Sequence, residues 1–466
     1  MAKAKKKESL TPEERLQAAL VPESEQPYPV PGNWCWVRLS SISQVISKGT
    51  TPKGGKNAYS DHGVKFLRVE NINDDGTISH DNIAYVSEEL HYTFLKRSIL
   101  EENDILVSIA GTLGKTGIVR SIDLPMNTNQ AVAFVRISSG KINRWYIKNA
   151  IDNPVIQTLL LSKTKVTSIP NLTLEIIGEC PIPLPPLPEQ QRIVDRMESL
   201  FAKLDEAKQK AQDALDSFET RKAAILHKAF TGELTAQWRK EHGVGMESWK
   251  ALTLNDIAEY KKGPFGSSIT KAMFVPKGKH TYKVYEQGNA IRKTVDYGHY
   301  YISEQKYLEL KNFAVRSDDI IISCAGTIGE VFKLPQDCEP GIINQALMRV
   351  RIFSNINEQY FIYYFGEILK GDVIDQANGT AIKNIPPFKI MKAMKIELPS
   401  LPEQTEIIRI LDDLLAKEQQ AKEAAEGVLE QIDLMKKAIL ARAFRGELGT
   451  NDPREESAVE LLKQVL

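Results

Sequence analysis

The chain carries the same segment twice, and this repeat constrains its fold more than any other feature. Residues 184–234 align without a gap on residues 398–448, at an offset of 214, and 23 of the 51 aligned residues are identical. Both copies open with a stretch that contains Leu-Pro-Glu-Gln and end with Gly-Glu-Leu. The repeat predicts two equivalent helical elements, each with a glycine C-cap, at Gly232 and Gly446.

The regions upstream of the two copies repeat more faintly. Residues 104–114 read DILVSIAGTLG and residues 319–329 read DIIISCAGTIG, while Asn-Gln-Ala occurs at 129–131 and again at 344–346. Between these matches the two regions differ almost completely. Short β-branched runs alternate with turn residues and with predicted helices such as residues 143–161, so each region is predicted to be a mixed α+β domain of about 150 residues.

Apolar residues recur in a heptad pattern along both repeated segments, which predicts two long helices that pack as an antiparallel coiled coil. In each segment nine of ten heptad positions are apolar, and the exceptions are Arg221 and Glu418. The predicted register pairs residues whose numbers sum to about 632, so that Phe218 faces Leu414. The predicted seam consists of Ile193, Met197, Leu200, Leu204, Ala207, Ala211, Phe218 and Ile225 in the first helix, and of Ile407, Leu411, Leu414, Ala421, Ala425, Val428, Ile432, Met435 and Ile439 in the second.

Composition excludes several classes of protein. The chain has 466 residues, of which 42% are hydrophobic, and its 60 Lys and Arg balance 60 Asp and Glu. Two or more folded domains are therefore expected, without the overall basic excess of many nucleic-acid binders. The four cysteines and seven histidines show no metal-ligand spacing, and no apolar run is long enough for a secretory signal or a membrane span. These observations predict a soluble, cytoplasmic protein without a metal site or a disulfide framework.

The first 31 residues form a separate extension. Thr11 is placed to cap a helix, Pro12 suits its first position and Glu14 its third, so a short helix is predicted through Leu20. Two roles remain open for this extension: it braces a partner, or it is an inert tail.

Catalytic motifs are missing from both copies. The string GTLGKT at residues 111–116 suggests a phosphate-binding loop, but Ile109 occupies the position that the first glycine of that motif requires. The carboxylates do not show nuclease spacing, and no nucleophile and base recur as a pair. The chain is therefore predicted to be a binding protein without catalysis of its own.

This organisation resembles the specificity subunit of type I restriction-modification enzymes. The residues that carry the resemblance are LPPLPEQ (184–190) with LPSLPEQ (398–404), AFTGEL (229–234) with AFRGEL (443–448), and the paired strings that begin at Asp104 and Asp319. The resemblance implies an α+β fold, in which two mixed α/β target-recognition domains are separated by two long antiparallel coiled-coil helices. The implied segments are an N-terminal extension (1–31), a first recognition domain (32–183), a first spacer helix (184–235), a second recognition domain (236–397), a second spacer helix (398–449) and a C-terminal tail helix (450–466).

The resemblance also implies a function and partners. Each domain would read one half of an asymmetric, bipartite sequence in double-stranded DNA. The chain would be non-catalytic and would dock two modification (methyltransferase) subunits and the restriction (translocase-nuclease) subunits. S-adenosylmethionine, ATP and Mg²⁺ would bind those partners and not this chain. Two alternatives remain: a self-sufficient methyltransferase or nuclease, and a duplicated coiled-coil scaffold without DNA recognition.

Candidate DNA contacts lie where the two domains differ, in polar loops with basic side chains. Arg and Lys suit guanine, Asn suits adenine, Glu suits cytosine, and Ser or Thr suits either a base or a phosphate. Residues 34–180 carry 16 basic against 14 acidic side chains, and residues 249–397 carry 20 against 16, so partner subunits are expected to supply much of the phosphate affinity. The predicted contacts are Lys48, Thr50, Lys53, Lys56, Arg68, Glu70 and Asn71 in the first domain, and Lys261, Lys262, Ser267, Lys271, Lys277, Lys279 and Asn289 in the second.

Overall fold

The computed structural model describes residues 11–54, 58–164, 171–369 and 387–466. The chain divides into two compact units, one formed by residues 1–211 with 427–466 and the other by residues 212–426. Each unit contains one mixed α/β domain together with part of each repeated helical segment. The compact units are therefore larger than the predicted domains, because they include the helices that border them.

Among its described residues, the first unit contains nine strands in three sheets. These are β1 Cys35–Arg38, β2 Ser43–Lys48, β3 Val64–Leu67, β4 Ala84–Val86, β5 Ile105–Ser108, β6 Thr116–Ile118, β7 Met126–Thr128, β8 Val132–Ile137 and β9 Pro181–Leu184. The sheet orders are β2-β8-β5-β6, β4-β3-β7 and β1-β9. Only the pair β3 and β7 is parallel, whereas the other strand pairs described in this unit are antiparallel.

The second unit repeats this arrangement, with ten strands in the part of it that the structure describes. These are β10 Lys250–Thr253, β11 Ala258–Lys262, β12 Thr281–Tyr285, β13 Tyr301–Ser303, β14 Ala314–Val315, β15 Ile320–Ser323, β16 Val331–Lys333, β17 Gly341–Ile343, β18 Leu347–Ile352 and β19 Lys395–Leu398. The sheet orders are β11-β18-β15-β16, β13-β12-β17-β14 and β10-β19. The parallel pair is β12 with β17, so the duplication seen in sequence extends to the strand pairing of the two variable domains.

Helices flank these sheets. The helices of the first domain and the chain ends are Pro12–Ala19, Glu88–Tyr92, Arg144–Asp152, Pro154–Ser162, Leu174–Gly178 and Ala458–Val465. Those of the second domain and its approach are Ala236–Glu241, Leu254–Ile257, Gln287–Arg292, Glu304–Glu309, Glu358–Tyr363 and Phe388–Lys392, with a π-helical turn at Tyr364–Leu369. The repeated segments form Leu187–Asp216 followed by Phe218–Phe230, and Leu401–Ala443.

Two predicted helices are interrupted. Residues 143–161 form two helices, because Pro154 starts the second one and lacks the N–H that a continuous helix would need, while Asn153 caps it. The first repeated segment breaks at Ser217, whose hydroxyl donates to the backbone oxygen of Asp213 at 2.8 Å. A serine that bonds back to the preceding turn bends a helix. The equivalent segment Leu401–Ala443 is continuous.

The predicted helix caps are confirmed. Thr11 and Glu14 cap the helix Pro12–Ala19 reciprocally, with N–O distances of 2.8 and 3.2 Å. Gly232 and Gly446 adopt positive φ angles of 81° and 74° at the ends of the repeated segments. Only glycine takes this left-handed conformation readily, which explains why Gly-Glu-Leu recurs.

The N-terminal extension packs within the first unit. The backbone N–H of Val21 donates to the oxygen of Trp36 at 2.9 Å, and Ala19 is buried. The chain ends also meet here, since Asn33 donates to the backbone oxygen of Asp452 at 3.0 Å and Trp34 donates to Asn451 at 3.1 Å. The described part of the extension therefore braces its own chain, which neither expected role anticipated.

Side-chain contacts join the two repeated segments inside each unit. In the first unit, Lys436 Nζ donates to Asp205 Oδ1 and the Lys436 ammonium lies 5.6 Å from the Phe201 ring. In the second unit, Arg221 Nε donates to Glu418 Oε2 at 2.8 Å, and Lys422 lies 4.8 Å from the ring of Phe218.

The predicted register is wrong by about one heptad. It placed Arg221 opposite Leu411 and Phe218 opposite Leu414, whereas these residues contact Glu418 and Lys422. In the predicted register the Arg221 charge would have faced an apolar residue. The observed register instead joins the two polar exceptions of the heptad pattern, which gives each charge a partner.

Burial along the predicted seam is uneven. Ile193, Met197, Ala211, Phe218, Ile407, Leu411 and Ile432 are buried, and Leu200, Leu204, Ala207, Ile225, Leu414, Ala425 and Ile439 are half-buried. Ala421, Val428 and Met435 are exposed. The predicted pairing of Met197 with Met435 is therefore wrong, because Met197 is fully buried while 48% of Met435 remains exposed.

Within the residues that the structure describes, no helix has both the length and the apolar character needed to cross a bilayer.

Candidate nucleic-acid interface

In each variable domain, polar residues collect at the carboxyl ends of the two parallel strands. Leu67 of β3 pairs with Thr128 of β7, and the next amide, that of Asn129, donates to the backbone oxygen of Leu67 at 3.2 Å. In the second domain, the Asn344 amide donates to the oxygen of Tyr285 at 2.9 Å in the same way. The residues that follow these strands, Arg68 and Glu286, therefore lie beside the two Asn-Gln-Ala turns.

A third segment reaches the same place in each domain. The Thr50 amide donates to the oxygen of Thr128 at 3.0 Å, and the Gly263 amide donates to the oxygen of Leu347 at 2.9 Å. We name the resulting clusters the first edge, formed by residues 48–50, 68 and 129–130, and the second edge, formed by residues 262–263, 286 and 344–345. Carboxyl ends of parallel strands are common positions for binding sites in α/β sheets.

Glycine is required where the third segment passes the turn. A Cβ atom at Gly49 would lie 2.1 Å from the backbone oxygen of Asn129, and one at Gly263 would lie 1.8 Å from that of Asn344. Both distances are far inside van der Waals contact. The Lys-Gly pair that recurs at 48–49 and 262–263 therefore reflects close packing of the backbone at each edge.

The Asn-Gln-Ala turns use their first residue for folding and leave their second residue exposed. Asn129 Oδ1 accepts from the Ala131 amide at 3.1 Å, and Asn344 Oδ1 accepts from the Ala346 amide at 3.0 Å. Gln130 and Gln345 are exposed, and no hydrogen bond from either side chain is found among the described residues. Neither glutamine was among the contacts predicted from the sequence, although their repetition in two otherwise different domains was the available signal.

The structure brings together several predicted contacts of the first domain. Lys48, Thr50 and Arg68 belong to the first edge, and Arg97 joins them because its Nε donates to Thr50 Oγ1 at 3.1 Å. Lys53 is exposed in the turn that follows.

Of two further contacts predicted for the first domain, the structure describes Glu70 but not Lys56. Glu70 is exposed, and one of its carboxylate oxygens lies 3.1 Å from Arg68 Nη2. Lys56 lies outside the described residues.

Asn71 and Asn289 are corrections to the predicted set. Both are buried, with exposed fractions of 2% and 0%. Asn71 Oδ1 accepts from the Arg68 amide at 3.0 Å, and Asn289 Oδ1 accepts from the Glu286 amide at 2.8 Å. Their carboxamides hold the backbone behind each edge, which leaves them unavailable to a base.

The predicted lysines of the second domain are spread over two ends of β12. Lys262 belongs to the second edge, and the Lys261 ammonium lies 5.2 Å from the Phe313 ring. Lys277 and Lys279 precede β12 and therefore lie at its opposite end, where Lys277 forms an ion pair with Glu339 at 2.7 Å. Ser267 and Lys271 are exposed in the loop after β11. The structure thus does not bring all of these residues to one site.

The repeated Asp-Ile strings have a structural role. Asp104 is fully buried and accepts two hydrogen bonds from Arg136, at 2.8 Å each. Asp319 accepts two from Arg351, at 2.6 and 2.9 Å. Burial raises the pKa of the Asp104 carboxyl, and the hydrogen bonds from Arg136 oppose that rise. The paired charges join neighbouring strands of each core sheet, which explains the repetition of this aspartate without a catalytic role.

The Leu-Pro-Glu-Gln motifs anchor each helix to its domain. Gln190 Oε1 accepts from the Asn143 amide at 2.9 Å, and Gln404 Oε1 accepts from the Asn357 amide at 2.6 Å. Asn143 and Asn357 in turn cap a helix of the adjoining domain. The motif therefore fixes the start of each repeated helix against the domain that precedes it.

The buried glutamates of the same motifs hold the chain that follows the other helix. Glu189 accepts from Thr450 at 2.7 Å and pairs with Arg192 at 2.9 Å. Burial raises the pKa of Glu189, and the hydrogen bonds from Thr450 and Arg192 oppose that rise.

Glu403 has the equivalent role in the second unit. It accepts from Thr235 at 2.8 Å, from Arg239 at 2.6 Å and from Trp249 Nε1 at 3.0 Å.

Comparison with known proteins decides the family. Residues 31–215 and 246–427 each match the model of the type I restriction modification DNA specificity domain. The chain belongs to this family. It is 34% identical over 214 residues to the type I restriction enzyme EcoBI specificity subunit of Escherichia coli, a match that covers 46% of this chain and 44% of that relative. The chain thus spans less than half the length of that relative.

Two other relatives match along most of their length. The putative type I restriction enzyme MjaX specificity subunit of Methanocaldococcus jannaschii is 24% identical over 439 residues, which cover 90% of this chain and 94% of that protein. The crystal structure of the HsdS subunit from Thermoanaerobacter tengcongensis has a TM-score of 0.61 at 20% identity and covers 91% of this chain and 100% of that chain. This structural likeness supports the fold of the chain.

Proposed function

We propose that this chain is the non-catalytic DNA-specificity subunit of a type I restriction-modification complex. Each variable domain reads one half of an asymmetric, bipartite DNA sequence. The observation that carries the proposal is the pair of edges. The two domains that contain them match the same DNA specificity family, and the edges share one backbone framework, yet they present different side chains, such as Arg68 in one and Glu286 in the other.

The shared framework explains how one fold can serve two different half-sites. Buried residues hold the backbone at each edge, namely Asn71 and Asn289 behind the strand ends. The side chains in front of them, such as Arg68 and Glu286, differ between the domains while the backbone framework is the same. Two unlike readers in one chain suit a target that is not palindromic, in contrast to the palindromic sites of symmetric dimers.

The repeated helices set the distance between the half-sites and dock the partner subunits. We propose that they form an antiparallel coiled coil, supported by the contacts of Lys436 with Asp205 and of Arg221 with Glu418 inside the two units. Two modification subunits, which carry S-adenosylmethionine, bind this assembly, and restriction subunits, which use ATP and Mg²⁺, join it. Net charge is close to zero in both domains, so these partners supply much of the affinity for phosphates.

Methylome sequencing tests the proposal. Cells that express this chain with its modification subunit are compared with cells that express the modification subunit alone. We expect methylation of one bipartite sequence, with two different half-sites and a fixed gap, only when the chain is present.

Two results would contradict the proposal. Methylation by the chain alone would support a self-sufficient methyltransferase. A complex that assembles but neither methylates nor shifts DNA in a gel would support the duplicated scaffold.

A further inference from the structure

Arg68 and Glu286 occupy the same backbone position in the two domains. Each directly follows the strand that pairs in parallel, β3 or β12, and each precedes a short helical turn. The amide of each donates to the carboxamide of an asparagine three residues later, at 3.0 Å for Arg68 and 2.8 Å for Glu286. The duplicated fold therefore presents a cation in one domain where it presents an anion in the other.

The Arg68 guanidinium is oriented but retains free hydrogen-bonding capacity. Its side chain is 37% exposed, and Nη2 lies 3.1 Å from a Glu70 carboxylate oxygen. The Nε atom is buried and has no hydrogen-bond partner among the residues that the structure describes. A buried donor without a partner is rare in folded proteins and calls for a reason. Glu70 and the backbone oxygen of Asn82, which accepts from Nη2 at 3.4 Å, orient the guanidinium, and no bond from Nη1 is found among the described residues.

The Glu286 carboxylate is half-buried and open to a surface cavity. No hydrogen bond or ion pair to this carboxylate occurs among the described residues, although its backbone amide is bonded. The cavity measures about 610 Å³, and Arg292, Tyr297 and His299 also line it. Burial raises the pKa of Glu286, and the nearby His299 and Lys283 oppose that rise.

The rim of this cavity is held by the same asparagine that positions Glu286. Asn289 Nδ2 donates to the backbone oxygen of Thr294 at 3.0 Å and to that of Tyr297 at 2.9 Å. Gly298 passes so close that a Cβ there would lie 2.8 Å from a Glu286 carboxylate oxygen. The carboxylate thus sits in a built concavity, with acceptor atoms available to a donor that enters it.

We propose that Arg68 and Glu286 are equivalent specificity-determining residues, and that they select opposite bases: Arg68 reads a guanine in one half-site, and Glu286 reads a cytosine in the other. A guanidinium donates to guanine O6 and N7 in the major groove, whereas a carboxylate accepts from the cytosine N4 amine. The inference rests on the proposed function, because it assigns bases to the two edges that read the half-sites.

The test exchanges the two chemistries in the complete complex. Arg68→Glu and Glu286→Arg are introduced separately, and the methylated sequence of cells that express each variant with the modification subunit is determined. We expect each substitution to change or relax one base position in one half-site only. Glu102→Gln is the control in the first domain, because Glu102 is exposed and lies outside the first edge, so this variant should keep the guanine.

If a variant methylates poorly, DNA that contains base analogues tests the same contacts by binding. The complex is bound to its own target with the candidate guanine replaced by 7-deazaguanine, which lacks the N7 acceptor. We expect the wild-type complex to lose affinity by about 10-fold and the Arg68→Ala complex to be insensitive to the analogue. The corresponding pair for the second domain is Glu286→Ala with pyrimidin-2-one, which lacks the N4 amine, in place of the cytosine.

The outcomes separate the inference from the function on which it rests. A bipartite sequence that stays unchanged and fully methylated in Arg68→Glu and Glu286→Arg overturns the inference alone. Equal sensitivity of wild type and Arg68→Ala to every 7-deazaguanine position overturns it as well. If no bipartite sequence is methylated even by the wild-type complex, the proposed function itself fails.

Discussion

Arg221 Nε donates to Glu418 Oε2 at 2.8 Å, and these two residues are the polar exceptions in otherwise apolar heptad patterns. In the repeat, Arg221 aligns with Met435 of the second segment, and Glu418 aligns with Leu204 of the first segment. One polar layer has therefore replaced an apolar one, and its two members meet. In helical pairs such a layer selects a register, because any slip separates the two opposite charges.

Removing one member of this pair should destabilise the chain, and removing both should not. For Glu418→Ala we expect a loss of about 1 kcal/mol, since 37% of Arg221 and 21% of Glu418 remain exposed and water screens the pair. That corresponds to a fall of about 2–4 °C in the thermal midpoint. The double variant Arg221→Met, Glu418→Leu should recover stability.

The exposed pair of Glu206 and Lys210 provides the control for this comparison. Glu206→Ala should leave the midpoint nearly unchanged, because a single exposed pair contributes little. If the double variant of Arg221 and Glu418 were less stable than Glu418→Ala, the pair would not be a replaceable polar layer.

Sequence patterns predicted local structure and the repeat well, and failed where the answer depends on a distant partner. The cap at Thr11 and the left-handed glycines at 232 and 446 are local, and all are present. The helical register is not local, because heptads tolerate a slip of seven residues and only contacts between the helices, such as that of Arg221 with Glu418, distinguish the alternatives.

The same distinction between local features and distant partners explains why some predicted contacts lie elsewhere in the structure. Asn71 and Asn289 resemble exposed readers in sequence, but their carboxamides bond to the backbone. Lys262 and Lys277 are only 15 residues apart in the sequence, yet they lie near opposite ends of β12. Conversely, Arg68 and Gln130 are 62 residues apart in the chain, and only the parallel pairing of β3 with β7 brings them together.

Glu403 should be among the most sensitive positions of the second unit. Its carboxylate is fully buried and binds Arg239, whose side chain is 9% exposed, together with Thr235 and Trp249. Glu403→Ala leaves a buried guanidinium without its partner, so we expect a loss of about 3–5 kcal/mol. The measurement is thermal unfolding of the full chain, or the soluble yield where the variant does not fold.

Glu406 lies on the same helix and provides the control for Glu403. It pairs with Arg409, which is 67% exposed, so Glu406→Ala should cost less than about 1 kcal/mol. Similar losses in both variants would contradict the role assigned to Glu403.

The second edge should not tolerate a side chain at Gly263. A methyl group there would lie 1.8 Å from the backbone oxygen of Asn344, so Gly263→Ala must move the Asn-Gln-Ala turn away from the end of β11. We expect a stability loss of about 1–3 kcal/mol and reduced methylation. Gly278→Ala is the control in the same domain, because no atom lies within 4 Å of its added methyl group; equal effects of the two variants would show that close packing at Gly263 is unimportant.

Specificity should be exchangeable by domain, and the structure indicates where to cut. The amide of Leu39 donates to the backbone oxygen of Cys180 at 3.0 Å, so the two ends of residues 39–180 meet. Exchange of this segment with that of another family member leaves β1, β9 and the N-terminal helix intact. Methylome sequencing should then show a change in one half-site and retention of the other half-site and the gap; a change in both halves would exclude independent reading.

Gln130 and Gln345 should make the same kind of contact in both half-sites. They are exposed at equivalent turns, and the folding role of each turn belongs to the preceding asparagine. A carboxamide can donate to and accept from adenine, so a shared glutamine suits a base shared by the two half-sites. We expect Gln130→Ala and Gln345→Ala each to weaken DNA binding by the complex about 5-fold or more, with unchanged thermal midpoints, and to relax the same base in opposite halves.

Asn129→Ala distinguishes the two roles of the turn, because it should lower the midpoint as well. If Gln130→Ala and Gln345→Ala weakened binding to unrelated DNA equally, the glutamines would contact phosphates and not a base.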